Sequence, residues 1–137
     1  MIKICNYLEI PNEQKDAVLG QLLLIGFSPA YGGRKTMKKE MDRSRAGSLP
    51  QYLFVFRDDR LIGYIFLIAE RENYSKAFPW WAVDNSDELP LDIAVQLLEM
   101  GIALSEKCNC NILSNRLKIQ LESQKKGIGR RPEASCR

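Results

Sequence analysis

The sequence predicts a mixed α/β domain of the α+β kind, with a mostly antiparallel central sheet flanked by helices. Two β-rich runs, residues 52–56 and 61–68, flank the polar turn 57–60 and indicate a hairpin. A third β-rich run covers residues 77–83, and Pro79 within it indicates an edge position, a bulge or a splay. After Pro90, apolar residues recur at helical spacing, which predicts a long helix that packs on the sheet.

The other elements follow from periodicity and from Pro, Gly and Asn signals. The charged helix at residues 35–45 has only a thin apolar edge of Met37 and Met41, so we expect it on the surface or over a site. The complete order is β-α-α-β-β-β-α-β-α in one domain, residues 1–129, followed by a basic, frayed tail, residues 130–137. The remaining segments are a strand at 2–8, a helix from Asn12 to about Ile25, a helix from Pro90 to about Lys107, a strand at 109–113 and a helix at 115–126.

Composition excludes several classes of protein. A chain of 137 residues that is 45% hydrophobic and 27% charged suits one globular domain and argues against disorder. Its apolar stretches are far shorter than the roughly 20 residues of a membrane span, and the first residues do not resemble a signal peptide. We therefore expect a cytoplasmic protein without a membrane partner. A net charge of +3 is too small to indicate a nucleic-acid partner, although an acidic segment, 84–99, precedes a basic one, 116–137.

The chain contains no histidine, which excludes Ser-His-Asp and Cys-His catalysis and every His-ligated metal site. Two of the four cysteines, Cys108 and Cys110, form a C-x-C pair and not the C-x-x-C of a zinc knuckle. We therefore expect reduced thiols and no metal site.

Several short motifs resemble the GNAT family of N-acetyltransferases over residues 2–128. The hairpin has the family's apolar strand, its acidic turn and a following apolar strand with Ile62-Gly63-Tyr64. Gly26-Phe27 and Tyr31 are similar to the first helix and loop of the family. Residues 123–128 lie in register with a Tyr-x-x-x-Gly-Phe pattern, with Ser for Tyr and Ile for Phe. The resemblance implies transfer of an acetyl group from acetyl-CoA to an amine of a small molecule or a protein.

The resemblance also implies a phosphate-binding loop, R/Q-x-x-G-x-G/A, between the fourth strand and the next helix. Residues 85–90 occupy that place, but they contain no glycine and they carry Asp87 and Glu88, which repel a pyrophosphate. A literal match occurs later, at residues 124–129, followed by Arg130 and Arg131; a helix C-cap with basic flanks is the alternative interpretation. The cofactor residues implied by the family's groove between strands four and five are Ala82, Val83, Asn85, Ser86, Leu89, Leu91 and Ile112.

The family's usual general acid is replaced by Ser123, so other groups must supply the proton chemistry. The alternative for each carboxylate is a solvated loop position, and for the tryptophans it is simple core packing. The candidate catalytic residues are Glu70, Glu72, Tyr64 and Asp84, and the candidate substrate-binding residues are Phe27, Tyr31, Trp80 and Trp81.

Two further interpretations stay open. The loop at 85–90 and Ser123 favour a non-catalytic GNAT-like domain that binds a partner or a small ligand. An unrelated α/β binding module with a basic tail is the third. The sequence also leaves a homodimer open.

Overall fold

A computed structural model describes residues 1–24, 34–70, 73–83 and 89–125, with the side chains of residues 69–83 left undescribed. None of the helices in these ranges is long and apolar enough to cross a membrane. The elements are β1 (Ile2–Asn6), a 3-10 turn (Tyr7–Glu9), α1 (Asn12–Leu24), α2 (Arg34–Met41), β2 (Gln51–Arg57), β3 (Arg60–Glu70), β4 (Asn73–Val83), α3 (Leu91–Lys107) and α4 (Asn111–Lys125).

The four strands form an antiparallel sheet in the order β1-β2-β3-β4. The hairpin predicted at residues 52–68 is confirmed, because Arg57 pairs with Arg60 across a two-residue turn. Asp58, the first residue of that turn, has a φ of 56°, a left-handed value that Asp tolerates better than most residues. Pro79 lies in β4, at an edge of this sheet, as its missing N–H group predicts.

Each face of the sheet carries its own hydrophobic core, and the two cores differ in composition. Alternate residues of β2 and β3, such as Tyr52 and Phe54, pack with Tyr7 and with α1 and α2 in a core that is rich in aromatic rings. The intervening residues, such as Leu53 and Ile65, pack against α3 and α4 in an aliphatic core. A bulge opposite Val55 and Phe56 shifts the register of β3, and the alternation continues beyond it.

The charged second helix is more deeply anchored than the sequence predicts. The side chains of Met37 and Met41 are almost completely buried in the aromatic core. The helix lies on the surface as expected, with Lys35 and Lys39 exposed, and the two residues at i and i+4 suffice to fix it on the sheet. The helix is also shorter than predicted, since it ends at Met41.

The fifth strand predicted at residues 109–113 is absent from the described part of the chain, and a helical hairpin takes its place. Asn109 has a φ of 61° and ends α3 in a Schellman motif, in which its own N–H group binds the Glu106 carbonyl. The N–H group of Cys110 binds the Ser105 carbonyl at 2.8 Å, which completes the motif. The element order is therefore β-α-α-β-β-β-α-α, and the α+β class with a mostly antiparallel sheet is confirmed.

Helices α3 and α4 pack closely as an antiparallel pair over the aliphatic face. A Cβ atom at Gly101 would lie only 3.2 Å from Cδ1 of Leu117 and 3.5 Å from Cδ1 of Ile65, so glycine is what lets α3 approach both α4 and the sheet. On the outer side, Glu106 pairs with Lys118 at 2.9 Å and Glu99 with Lys125 at 3.8 Å. Both pairs are half exposed and contribute little stability, but they define the relative direction of the helices.

Candidate functional site

The N-terminus of α3 is the feature of the described chain that best suits an anionic ligand. The carbonyl of Pro90 accepts hydrogen bonds from the N–H groups of Ile93 and Ala94, and among the described residues no side chain caps the helix. The N–H groups of Leu91 and Asp92 precede the first intrahelical bonds and point out of the helix end. The helix dipole favours an anion there, whereas the carboxylate of Asp92 in the first turn opposes one.

Helix α4 runs in the direction of this same helix end. Because Glu99 contacts Lys125 and Glu106 contacts Lys118, α4 runs back along α3 toward Leu91. Glu99 and Leu91 are about 12 Å apart at a helical rise of 1.5 Å per residue. The last residue of α4, Lys125, therefore lies beside the middle of α3, and α4 points toward the end of α3 that begins at Leu91.

The structure does not bring the predicted cofactor residues into one groove. Leu89 is completely buried in the aliphatic core, so its side chain is not available to a ligand. Leu91 is 47% exposed at the start of α3, but Ile112 lies in the first turn of α4, beside the other end of that helix. The length of α3 separates them by about 24 Å. The assignment of Ile112 to a strand beside β4 is wrong, because Asn109 turns the chain into a helix.

The rest of the predicted cofactor set is only partly described. Ala82 pairs with Tyr64 and Val83 pairs with Gly63 in the ladder between β3 and β4, while Asn85 and Ser86 lie outside the described residues. Helix α4 lies beside β4 where a fifth strand was expected. The start of α3 can accept an anionic group, whereas the predicted groove between two splayed strands is not formed by the described residues.

Among the catalytic candidates, Tyr64 alone has a described side chain. It is 6% exposed in the aromatic core, with its ring centroid 4.9 Å from that of Phe66, on the sheet face that α1 and α2 cover. Glu70 ends β3 opposite Asn73, and its side chain is outside the described part. Glu72 and Asp84 lie outside the described residues altogether.

The substrate-binding candidates stay predictions as well. Phe27 and Tyr31 fall in the undescribed segment between α1 and α2. Trp80 and Trp81 lie in β4 opposite Phe66 and Ile65, and only their backbone is described.

A polar network that the sequence analysis missed joins the 3-10 turn to α2. The hydroxyl of Tyr7 donates a hydrogen bond of 2.6 Å to Oδ1 of Asp42, and Nζ of Lys38 lies 2.9 Å from Oδ2. Burial, followed by the bond to Asp42, raises the pKa of Tyr7 well above its ordinary value. The ammonium of Lys15 lies 4.6 Å from the Tyr7 ring centroid. The Asn6-x-x-Glu9 spacing of a capping box was the available signal for the turn itself.

A surface cleft of about 400 Å³, also missed, lies along β1 on the aromatic side of the sheet. Helix α1 packs over β3 and so leaves the outer strand β1 only partly covered. Lys3 and Cys5 lie along one side of the cleft, Val18 of α1 lies on the other, and carboxylates stand near both ends. The cleft is at the opposite edge of the sheet from β4, so it is separate from the α3 helix end.

Comparison with known proteins gives a similarity to a solved structure at low sequence identity. No protein-family model matches the chain, and no curated protein matches it. Among solved structures, the chain is similar to the crystal structure of the Campylobacter jejuni N-acetyltransferase PseH, with 13% sequence identity and a TM-score of 0.47. The match covers 91% of this chain and 86% of that one. Both the identity and the TM-score are low.

Proposed function

We propose that this chain is a GNAT-type N-acetyltransferase that takes its acetyl group from acetyl-CoA. The observation that supports this most is the helix N-terminus of α3, which follows β4 in the chain and whose N-cap residue, Pro90, has no side chain that could cap it. Phosphate groups bind well at such helix ends, because backbone N–H groups and the helix dipole both act on the anion. The acceptor would be an amine of a small molecule or a protein, in the cytoplasm.

The charges around α3 suggest how the pyrophosphate is held. Asp87 and Glu88 precede the helix and Asp92 lies in its first turn, which weakens anion binding. Lys126, Arg130 and Arg131 follow α4, which runs toward this helix end. We propose that these cations offset the carboxylates, so that acetyl-CoA binds weakly and with a marked dependence on salt.

A second candidate is a non-catalytic domain of the same fold that binds a ligand or a partner. It is favoured by the segment 84–88, which contains three carboxylates and no glycine, and by the helix that replaces the expected fifth strand. The groove that would hold the pantetheine arm of the cofactor lacks its expected second wall in the described residues. We therefore assign no proton-transfer step to individual side chains.

Thermal unfolding in the presence of acetyl-CoA tests the proposal. A ligand of the native state raises the midpoint temperature by an amount that grows with its concentration above the dissociation constant. S-acetylpantetheine, which lacks the pyrophosphate, is the control ligand and should stabilise the protein less. No stabilisation by acetyl-CoA at millimolar concentration would exclude the acetyltransferase.

Two sets of variants locate the phosphate site. Replacing Asp87 and Glu88 with Gly should strengthen acetyl-CoA binding, because repulsion is removed and the backbone can approach the pyrophosphate. Replacing Lys126, Arg130 and Arg131 with Ala should weaken binding and reduce its salt dependence. Binding that neither change alters would place the phosphate elsewhere. Binding of acetyl-CoA without release of CoA thiol across a panel of amine acceptors would favour the non-catalytic alternative.

A further inference from the structure

The outer edge of β1 presents backbone groups that no described residue pairs. The N–H group of Asp58 binds the Met1 carbonyl at 2.9 Å, which makes that pair a hydrogen-bonded one. Because such pairs alternate along an antiparallel ladder, Lys3 and Cys5 bond to β2, while Ile2 and Ile4 direct their N–H and C=O groups outward. The N–H group of Asn6 also points outward, since it binds Oε1 of Glu9 at 2.8 Å.

The cleft described above lies directly alongside this open edge. Lys3 and Cys5 belong to the sheet face that carries the aromatic core, so a strand added outside β1 would place alternate side chains beside them. Long side chains from such a strand can reach over β1 into the cleft. An open strand edge beside a helix-walled cleft is the arrangement in which extended peptides bind by strand addition, with main-chain bonds for affinity and pockets for specificity.

The charge of the cleft selects among peptides. Asp58 and Asp59 lie near the start of β1 and Glu9 lies beyond its end, while Lys3 is the one cation among the residues that line the cleft. The N-terminal ammonium lies 3.0 Å from Oδ1 of Asp58 and offsets that carboxylate. Glu9 and Asp59 still outnumber Lys3, so the field favours a cationic side chain and disfavours an acidic one. Val18 and Phe56 line the cleft but are only 6% and 8% exposed, so they add little apolar contact and charge dominates the selection.

From these observations we propose that β1 binds an extended basic peptide of another protein as an added strand, with its Lys or Arg side chains in the cleft. The site is at the opposite edge of the sheet from the proposed acetyl-CoA site, and it does not depend on acetyltransferase activity. The shortness of β1 and the presence of Lys3 are also features by which proteins prevent unwanted edge pairing. The experiment must therefore distinguish an edge that binds a peptide from an edge that is only protected against pairing.

The probe is a blocked peptide of alternating Lys and Thr, titrated into the full chain and followed by backbone NMR. Binding should slow hydrogen exchange of the outward amides of Ile2 and Ile4 at least fivefold. The amides of Lys3 and Cys5 already bond to β2 and should change little. A peptide that is N-methylated at alternate residues, and so cannot donate to the edge, should bind at least tenfold more weakly.

Charge variants complete the test. Asp59→Asn should weaken binding about threefold, and Asp16→Asn, an equal change on α1 outside the cleft, should leave it unchanged. A Glu-Thr peptide should bind at least tenfold more weakly than the Lys-Thr peptide. The proposal is overturned if N-methylation has no effect, if Asp16→Asn and Asp59→Asn act equally, or if the Ile2 and Ile4 amides are already protected in the free protein.

Discussion

The hydroxyl of Tyr7 lies 2.6 Å from Oδ1 of Asp42, and this bond fastens the end of β1 to the turn that follows α2. Tyr7 is 1% exposed, whereas the side chain of Asp42 keeps about 42% of its exposure. The bond therefore runs from the aromatic core to the surface. It joins two segments that are 35 residues apart in the chain.

Removal of this hydrogen bond should lower stability measurably. We expect Tyr7→Phe to reduce the free energy of unfolding by about 1–2 kcal/mol, because a bond to a charged acceptor is lost while the ring remains buried. Urea denaturation of Tyr7→Phe, Asp42→Asn and the double variant gives the coupling energy directly. Asp16→Asn removes a nearby carboxylate that makes no bond to Tyr7, and it serves as the control. A coupling energy near zero would contradict the prediction.

Stability should also fall with acid through Asp42. Burial raises the pKa of Asp42, but hydrogen bonds from Lys38 and Tyr7 outweigh it, so the pKa in the folded state lies below its ordinary value. A lowered pKa stabilises the fold above the unfolded pKa of about 3.9, and this contribution is lost as the pH falls through the folded value. The difference in unfolding free energy between wild type and Asp42→Asn should therefore be constant near neutrality and shrink below about pH 4.

At alkaline pH, Tyr7 makes stability fall as the pH rises, because its pKa in the folded state is raised and not lowered. Burial and the bond to Asp42 raise the pKa of Tyr7 in the folded state, so the unfolded chain loses this proton first as the pH rises. Above about pH 10 this deprotonation lowers the free energy of the unfolded chain relative to the folded one. Wild type should therefore lose more stability than Tyr7→Phe as the pH rises. Equal pH dependence of the two proteins between pH 9 and 11 would show that Tyr7 does not contribute.

The close contact of α3 with α4 and the sheet at Gly101 predicts that a larger side chain there lowers stability. Gly101→Val should destabilise the fold by at least about 2 kcal/mol, because the added methyl groups meet Leu117, Ile65 and the sheet. Ala103→Val introduces the same β-branched side chain at an exposed position of α3, and should cost only about 0.5 kcal/mol through helix propensity. Similar losses for the two variants, measured by urea denaturation, would mean that the helices are not in close contact at Gly101.

Asn109 distinguishes the observed helical hairpin from a fifth strand. In the left-handed conformation, Asn109→Val should cost about 1–2 kcal/mol, whereas Asn109→Gly should be neutral or stabilising. If residues 109–113 formed a strand, the order would reverse, because Val favours strands and Gly disfavours them. The midpoint of chemical denaturation for the two variants decides between these outcomes.

The hairpin at residues 52–68 could be predicted from the sequence because two signals coincide there. Its strands consist of β-branched and aromatic residues, and the polar pair Asp58-Asp59 separates them at the right distance for a tight turn. Helix α3 was predicted within one residue of its start, since Pro90 marks the boundary.

The residues after α3 could not be assigned in the same way. Ile112 and Leu113 form a short apolar run that suits a strand or a helix equally, and its shortness led to the prediction of a strand. The pattern over a longer range distinguishes a helix from a strand here, because Leu113, Leu117 and Leu121 recur every four residues and are all buried. The left-handed Asn109 was the local signal, but Asn adopts that conformation too seldom to predict it from sequence alone.

The candidate site was less predictable than the fold. Leu89 and Tyr64 were expected at a ligand but are buried in opposite cores. The identity of an apolar or aromatic residue does not indicate whether it faces a ligand or a core. The cleft along β1 depends on how far α1 extends over an outer strand, and residue spacing does not encode that distance.

The unequal composition of the two cores gives each layer of the molecule its own reporter. Cys108 and Cys110 are buried with α3 and α4, and burial raises the pKa of the Cys108 thiol, which slows its reaction with alkylating reagents. The rings of Tyr7 and Tyr52 lie across the sheet, in the other layer. In a variant with Cys5 and Cys136 replaced by Ser, the alkylation rate of the two buried thiols would report the opening rate of the helical layer. The signals of the two tyrosine rings would report the opening rate of the aromatic layer. Comparison of the two opening rates would show whether the two layers open together or one at a time.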